Sequence, residues 1–250
     1  MKSIKTFLIL SITAFFSVLI FSACSQTPTS TTLVMGTSAD YPPYEFKDST
    51  GGEERIIGFD VDIAQSLAKS LNFELKIEDM NFDRLIPALE NNEVDFVMAG
   101  MSPTPERQAK VEFTDLYYQA SSIILMPRGA NINFKEDVKD KRVGVQGGSI
   151  QADAAQKITG IDLVEFDKIG EIIQEVKAKT LEAAVIESTV AERYASANPD
   201  LDFTQPFDTE SSGSAIALPK GSAYTESFNQ VLTEMKETGK IKELIQKWFS

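Results

Sequence analysis

From residue 33 onward, short apolar runs alternate with stretches whose apolar positions recur every three to four residues. That alternation restricts the chain to α/β architecture. Leu33-Val34-Met35-Gly36 reads as a strand, and Asp60 as the cap of a helix carrying Ile63, Leu67 and Leu71 on one face. Leu75 and Ile77 mark a second strand, and Leu85, Ile86 and Leu89 a second helix. The run Val94-Asp95-Phe96-Val97-Met98 is short enough to be a buried strand.

A faint internal repeat doubles this pattern. A shift of 87 lays residues 94–98 on 181–185 and sets Gly100 against Glu187. The opening strand echoes too, because Arg142-Val143-Gly144-Val145 runs into the loop Gln146-Gly147-Gly148-Ser149. Two lobes of similar construction follow. Open α/β sheets collect ligands beyond the carboxyl ends of their strands. The loops 38–46 and 99–107 of one lobe and 146–151 and 187–189 of the other therefore face a shared cleft.

One of these loops carries explicit chemistry. In Ser102-Pro103-Thr104-Pro105-Glu106-Arg107, Thr104 suits an N-cap, Pro105 the first helical position and Glu106 the first turn. Arg107 then stands one turn into a helix. From there a guanidinium can grip a carboxylate or phosphate through two parallel hydrogen bonds. On these residues alone a capped surface helix with a solvated arginine is the equal alternative.

The amino terminus belongs to export. Lys2 and Lys5 precede an apolar run over residues 7–21, then Ser22-Ala23-Cys24, which reads as a secretory signal. The small residues before Cys24 resemble the lipobox of bacterial lipoproteins, with Phe21 where leucine is usual; the alternatives are a membrane anchor or a cut elsewhere. The run is short for a span, which needs about 20 residues. Residues 1–23 are thus the signal, and 24–32 a lipidated cysteine with a Ser/Thr/Gln/Pro tether. Cys24 is the only cysteine, so no disulfide forms within the chain. The net charge of −13 becomes −15 without the two signal lysines, which argues against nucleic acid as a partner.

At this point the chain resembles the polar amino acid-binding proteins, family 3 of the bacterial ABC-importer solute receptors. The strings that carry the resemblance run in order along the domain. They are Tyr41-Pro42-Pro43-Tyr44-Glu45-Phe46, Gly58-Phe59-Asp60-Val61-Asp62-Ile63-Ala64 and Phe82-Asp83-Arg84-Leu85-Ile86-Pro87-Ala88-Leu89. Residues 99–107, Phe113-Thr114-Asp115 and the segment 142–149 complete the set. The resemblance implies a two-lobed periplasmic-binding-protein fold of type II, each lobe a doubly wound mixed sheet. Lobe 1 would comprise 33–120 and 216–250, lobe 2 121–215, joined by a two-strand hinge near 119–123 and 211–216. Helices around 228–235 and 241–248 would then belong to lobe 1.

It also implies a site. Arg107 would take the α-carboxylate of a free amino acid, helped by the amides of Ser102 and Ser149. Glu187, in place of the family's usual aspartate, and the Gly100 carbonyl would take the α-ammonium. Tyr41 and Phe82 would pack against the ligand side chain, beside Ile150 and Gln151. A zwitterion needs both charges met, because burying either alone is expensive. Side-chain choice would fall to Ser38, Asp40, Tyr41, Glu45, Phe82 and Gln151. Asp40 pointing into the cleft would favour a basic ligand, arginine or lysine; Asp40 facing solvent leaves glutamine or another polar amino acid.

The rival class is an enzyme such as a cyclohexadienyl dehydratase, because fold does not determine function. The absence of histidine removes the usual general base and metal ligand. Gly147-Gly148 without a following lysine is no Walker loop. The reading is therefore a non-enzymatic, extracytoplasmic binder with no cofactor and no metal. It would be anchored to the cell membrane by lipidated Cys24 and act as a monomer that closes at its hinge and docks on permease subunits.

Overall fold

The computed structural model describes residues 31–207 and 213–249. The signal and Cys24 lie outside the described residues, as does part of the expected return crossing at 211–216. The strand Thr31–Thr37 already begins inside the expected tether, pairing in parallel with Phe73–Asp79 from Thr31 against Phe73.

Two five-stranded sheets form the frame. The first runs in the order Phe73–Asp79, Thr31–Thr37, Phe96–Val97, Ala217–Leu218 and Glu112–Phe113. The second runs Asp162–Phe166, Arg142–Gln146, Ala183–Glu187, Ser122–Pro127 and Leu201–Phe203. In each, three parallel strands are followed by a fourth that runs antiparallel to them and a fifth antiparallel to the fourth. The two sheets share one topology.

The internal repeat has a packing reason. A Cβ on Gly36 would press on Val94 and Leu85 at 3.2 and 3.3 Å, and one on Gly144 on Leu181 and Ile172 at 2.5 and 3.0 Å. The shift of 87 converts the first pair of side chains into the second. In both lobes a bare strand backbone lets a helix and the next strand's entry close over it.

The helix Phe59–Leu71 buries Phe59, Val61, Ile63, Ala64 and Leu67. Asp60 does not cap it. Gly58 holds the cap position without a side-chain bond, and Asp60 is turned inward and fully buried. The helices Thr225–Glu237 and Lys240–Trp248 pack against Phe59–Leu71, on the first sheet's side.

The chain passes between sheets in two segments that pair with each other. Tyr117 N donates to Ser214 O at 2.9 Å and Ser214 N to Tyr118 O at 2.9 Å, while Ser122 N donates to Phe207 O at 3.3 Å. Below this crossing Tyr44, Phe59 and Tyr118 surround Phe249, with ring centroids at 5.3, 5.0 and 4.7 Å. These edge and stacked contacts fasten the crossing to the first lobe.

Candidate functional site

The carboxyl ends of the strands face a cleft between the lobes. Its lining holds Arg107, Glu187, Ser102, Ser149, Gly100, Tyr41, Phe82, Ile150 and Gln151, together with Ser121, Ser122 and Gln146. Nine of the twelve residues expected from sequence are thus brought together; Ser38, Asp40 and Glu45 are outside the lining.

Arg107 is placed by local capping. Thr104 Oγ1 accepts from Arg107 N at 3.2 Å, and Pro105 opens the helix Pro105–Lys110. Only 8% of Arg107 is exposed, so the solvated alternative fails. Nη1 donates to Ser102 O at 2.8 Å, and Nη2 reaches across the cleft to Gly148 O at 2.9 Å. The guanidinium stands 5.3 Å from the centre of the Phe82 ring. Phe82 therefore supports Arg107 as well as lining the cleft. Burial lowers the guanidinium pKa to about 10, against the pull of Asp153 and Glu106, and leaves it charged at neutral pH. Two of its five N–H donors are used by carbonyls.

Glu187 ends the strand Ala183–Glu187 and caps the helix Ser188–Ala197. Oε2 accepts from Val190 N at 3.0 Å and Thr189 Oγ1 at 2.6 Å, and Oε1 accepts from Ser188 Oγ at 3.0 Å. Burial raises its pKa while these donors restrain the rise. Glu187 thus caps its helix and lines the cleft with the same carboxylate. Among the described residues neither Arg107 nor Glu187 forms an ion pair. One cleft thus holds a buried cation and a buried anion, each without a charged protein partner. Such groups call for a ligand that carries both complements.

The remaining expectations divide. Gly100 has φ +56°, and a Cβ there would come 3.0 Å from Tyr41 Cε1, so glycine is required. Tyr41 stacks on Tyr44 at 5.6 Å, and burial with nearby Glu187 pushes its hydroxyl well above the usual range. Gln151 Nε2 donates to Ser122 Oγ at 3.1 Å. Ile150 begins the helix Ile150–Gln156, which Ser149 caps by accepting from Ala152 N at 3.1 Å. The Ser149 amide, expected to serve the ligand, donates instead to Gln146 O at 3.3 Å. The Ser102 carbonyl serves Arg107 and Thr104 N.

Asp40, Glu45 and Ser38 are used elsewhere. Asp40 meets Lys168 and the Gly170 amide of the opposite lobe. Glu45 is wholly buried against Asp60. As two carboxylates, neither Glu45 oxygen nor Asp60 Oδ1 would have a donor, so a proton on Glu45 supplies one. Burial, followed by the Asp60 charge, raises Glu45 far above the carboxylate range. Asp60 is raised to about 6 by burial, moderated by bonds from Gly100 N at 3.0 Å and Tyr117 Oη at 2.7 Å. Asp60 thus holds Gly100 and the crossing strand in place. Sequence reading missed that role, because a first-turn aspartate looks the same whether it caps or is buried.

Sequence reading placed Gln146 in a cleft loop and Ser121 and Ser122 in the hinge without naming any of them as a site residue, and no local signal singles them out on the lining. Among the described residues no cluster of three or more acidic or cysteine side chains could hold a metal, and no helix is long and apolar enough to cross a membrane.

Comparisons with known proteins agree with this geometry. The family model of bacterial extracellular solute-binding proteins, family 3, matches residues 33–250. The arginine-binding extracellular protein ArtP of Bacillus subtilis is 42% identical over 223 residues, covering 87% of this chain and 86% of its own. An ancestral arginine-binding protein bound to arginine superposes with a TM-score of 0.83 at 36% identity, covering 88% of this chain and 98% of that one. The ancestral arginine-binding protein is also solved bound to glutamine, with a TM-score of 0.83 at 36% identity over 87% of this chain and 97% of that one.

Proposed function

Because the chain belongs to the bacterial extracellular solute-binding proteins, family 3, we propose that it delivers a free amino acid, arginine, to an ABC importer. The observation that carries this reading is the pair of buried, unpaired charges, Arg107 and Glu187, in one cleft. Arg107 takes the α-carboxylate with its free N–H groups, and Glu187 takes the α-ammonium. Tyr41 and Phe82 flank the side chain, where ring faces suit methylenes and a guanidinium alike. The choice of arginine is supported by the Bacillus subtilis relative and by the arginine-bound structure.

Glutamine is the second reading. Among the described lining residues Glu187 is the one carboxylate, so the far end of the ligand meets Gln146, Gln151 and Ser122 rather than a second acid. The glutamine-bound ancestral protein favours the same alternative. Binding proceeds by closure about the two crossing segments, and the ligand holds the closed form through its differential affinity for it. The lobes divide near 120/121 and 215/216. Lipid on Cys24 tethers the chain to the membrane, where the closed monomer meets permease subunits. The chain binds its amino acid without transforming it.

Calorimetric titration with arginine, lysine and glutamine tests the reading. Submicromolar arginine binding is expected, on the order of −8 kcal/mol or better. Tight glutamine with millimolar arginine removes arginine, and no binding of any of the three removes the zwitterion clamp.

A further inference from the structure

The helix Ile169–Lys177 in the second lobe starts badly. Its N-cap position is occupied by Lys168, which makes no side-chain capping bond. Helices favour Ser, Thr, Asp or Asn there, and a cation at that end opposes the helix dipole. The missing cap comes from the other lobe: Asp40 Oδ2 accepts from Gly170 N, the second helical amide, at 3.3 Å. That is the bond an N-cap aspartate would make within its own helix.

Lys168 itself points back across the cleft. Its ammonium lies 3.8 Å from Asp40 Oδ1 and 3.7 Å from Asp79 Oδ1. It also donates to Ser38 Oγ and Met80 O, each at 3.4 Å. Asp79 is shared with Lys47 at 3.0 Å and accepts from Ala39 N at 2.9 Å, which anchors it in the first lobe. Tyr194 Oη donates to Asp40 O at 3.1 Å, and Asn81 Nδ2 to Asp167 Oδ2 at 2.9 Å. The side chains of Lys168, Asp40 and Asp79 are 28%, 20% and 24% exposed, so solvent screens this cluster only in part.

We propose that Asp40 and Lys168 form an interlobe latch. Asp40 caps a helix of the opposite lobe in trans and pairs with the lysine that displaced the helix's own cap. Both bonds exist only when the lobes meet, so they favour the closed state over the open one without touching the ligand. Asp40 and Lys168 are positioning residues: they set how long the amino acid stays, not which one it is. The latch rests on the reading of the cleft as an amino acid site.

The test is the dissociation rate of radiolabelled arginine and glutamine from the full chain after a chase with unlabelled ligand. Lys168→Met should speed dissociation roughly fivefold and Asp40→Ala roughly tenfold, with association little changed. Lys168→Arg should dissociate as slowly as wild type. Raising salt from about 50 to 500 mM should speed release from wild type and not from Lys168→Met. The factor for Asp40→Ala should be the same for arginine and glutamine. A loss confined to arginine makes Asp40 a ligand contact and overturns the latch, as does dissociation as slow as wild type. If the wild type holds no amino acid, the reading of the cleft falls. The latch is then decided by exchange of the Gly170 amide, which must still be faster in Asp40→Ala.

Discussion

The two lobes share a strand order and even the side-chain pair that packs over a strand glycine, yet they supply the cleft with different chemistry. At the equivalent strand ends the first lobe places Gly100 and the second Glu187. Gly100 has no side chain to offer, and its amide is occupied by Asp60, a buried acid behind it. Glu187 puts its carboxylate into the cleft and satisfies its helix with the same oxygens. The first lobe sends its cation, Arg107, from the next helix and braces it on a carbonyl of the second. Common topology therefore decides where functional groups can stand. Local capping and burial decide which charge stands there.

The largest effect that sharpens this contrast is at Arg107. Arg107→Ala should weaken amino acid binding about a thousandfold, roughly 4 kcal/mol, with circular dichroism unchanged. Affinity within tenfold of wild type would end its assignment as the carboxylate clamp.

The next effect belongs to the buried acids of the first lobe, which the second lacks behind Glu187. Asp60 is raised from 3.8 to about 6, so the folded chain holds that proton more tightly than the unfolded one. The stabilising contribution is fully present below about 3.8 and is lost as pH rises through about 6. Asp60→Asn has no such dependence. Wild type should lose on the order of 3 kcal/mol relative to the variant between about pH 4 and pH 7. Urea midpoints at the two pH values measure it, and a gap that does not move with pH breaks the contrast.

The smallest effect is at Glu187. Glu187→Gln retains an oxygen for the helix cap and should cost about thirtyfold in affinity, roughly 2 kcal/mol. Because burial raises the Glu187 pKa, wild-type affinity should fall on acidification sooner than an ordinary carboxylate dictates. Titrations across about pH 5 to 8 should show that fall in wild type and a flatter profile in the variant. Equal profiles would remove Glu187 as the ammonium acceptor.

Much of this was readable beforehand where the cause is local. Thr104-Pro105 announced a helix start, and the start dictates that Arg107 stands one turn in. The repeat announced two lobes, because the pair packed over the strand glycine, Leu85 and Val94, recurs as Ile172 and Leu181 at a constant shift of 87. Asp60 was misread because a first-turn acid carries no mark of the tyrosine and amide that bind it from 57 and 40 residues away. Asp40 and Lys168 were still less legible: the Gly170 amide lies 130 residues beyond Asp40.

The sequence by itself determined the alternation of strands and helices, the duplication of the lobe and the helix start that aims Arg107. Those follow from interactions among residues a few places apart. Only the tertiary structure decided which carboxylate faces the cleft, which shares a proton with another and which caps a helix across the gap. A charge is assigned its partner by distance through space and by the water excluded around it, and both are set when the two lobes meet.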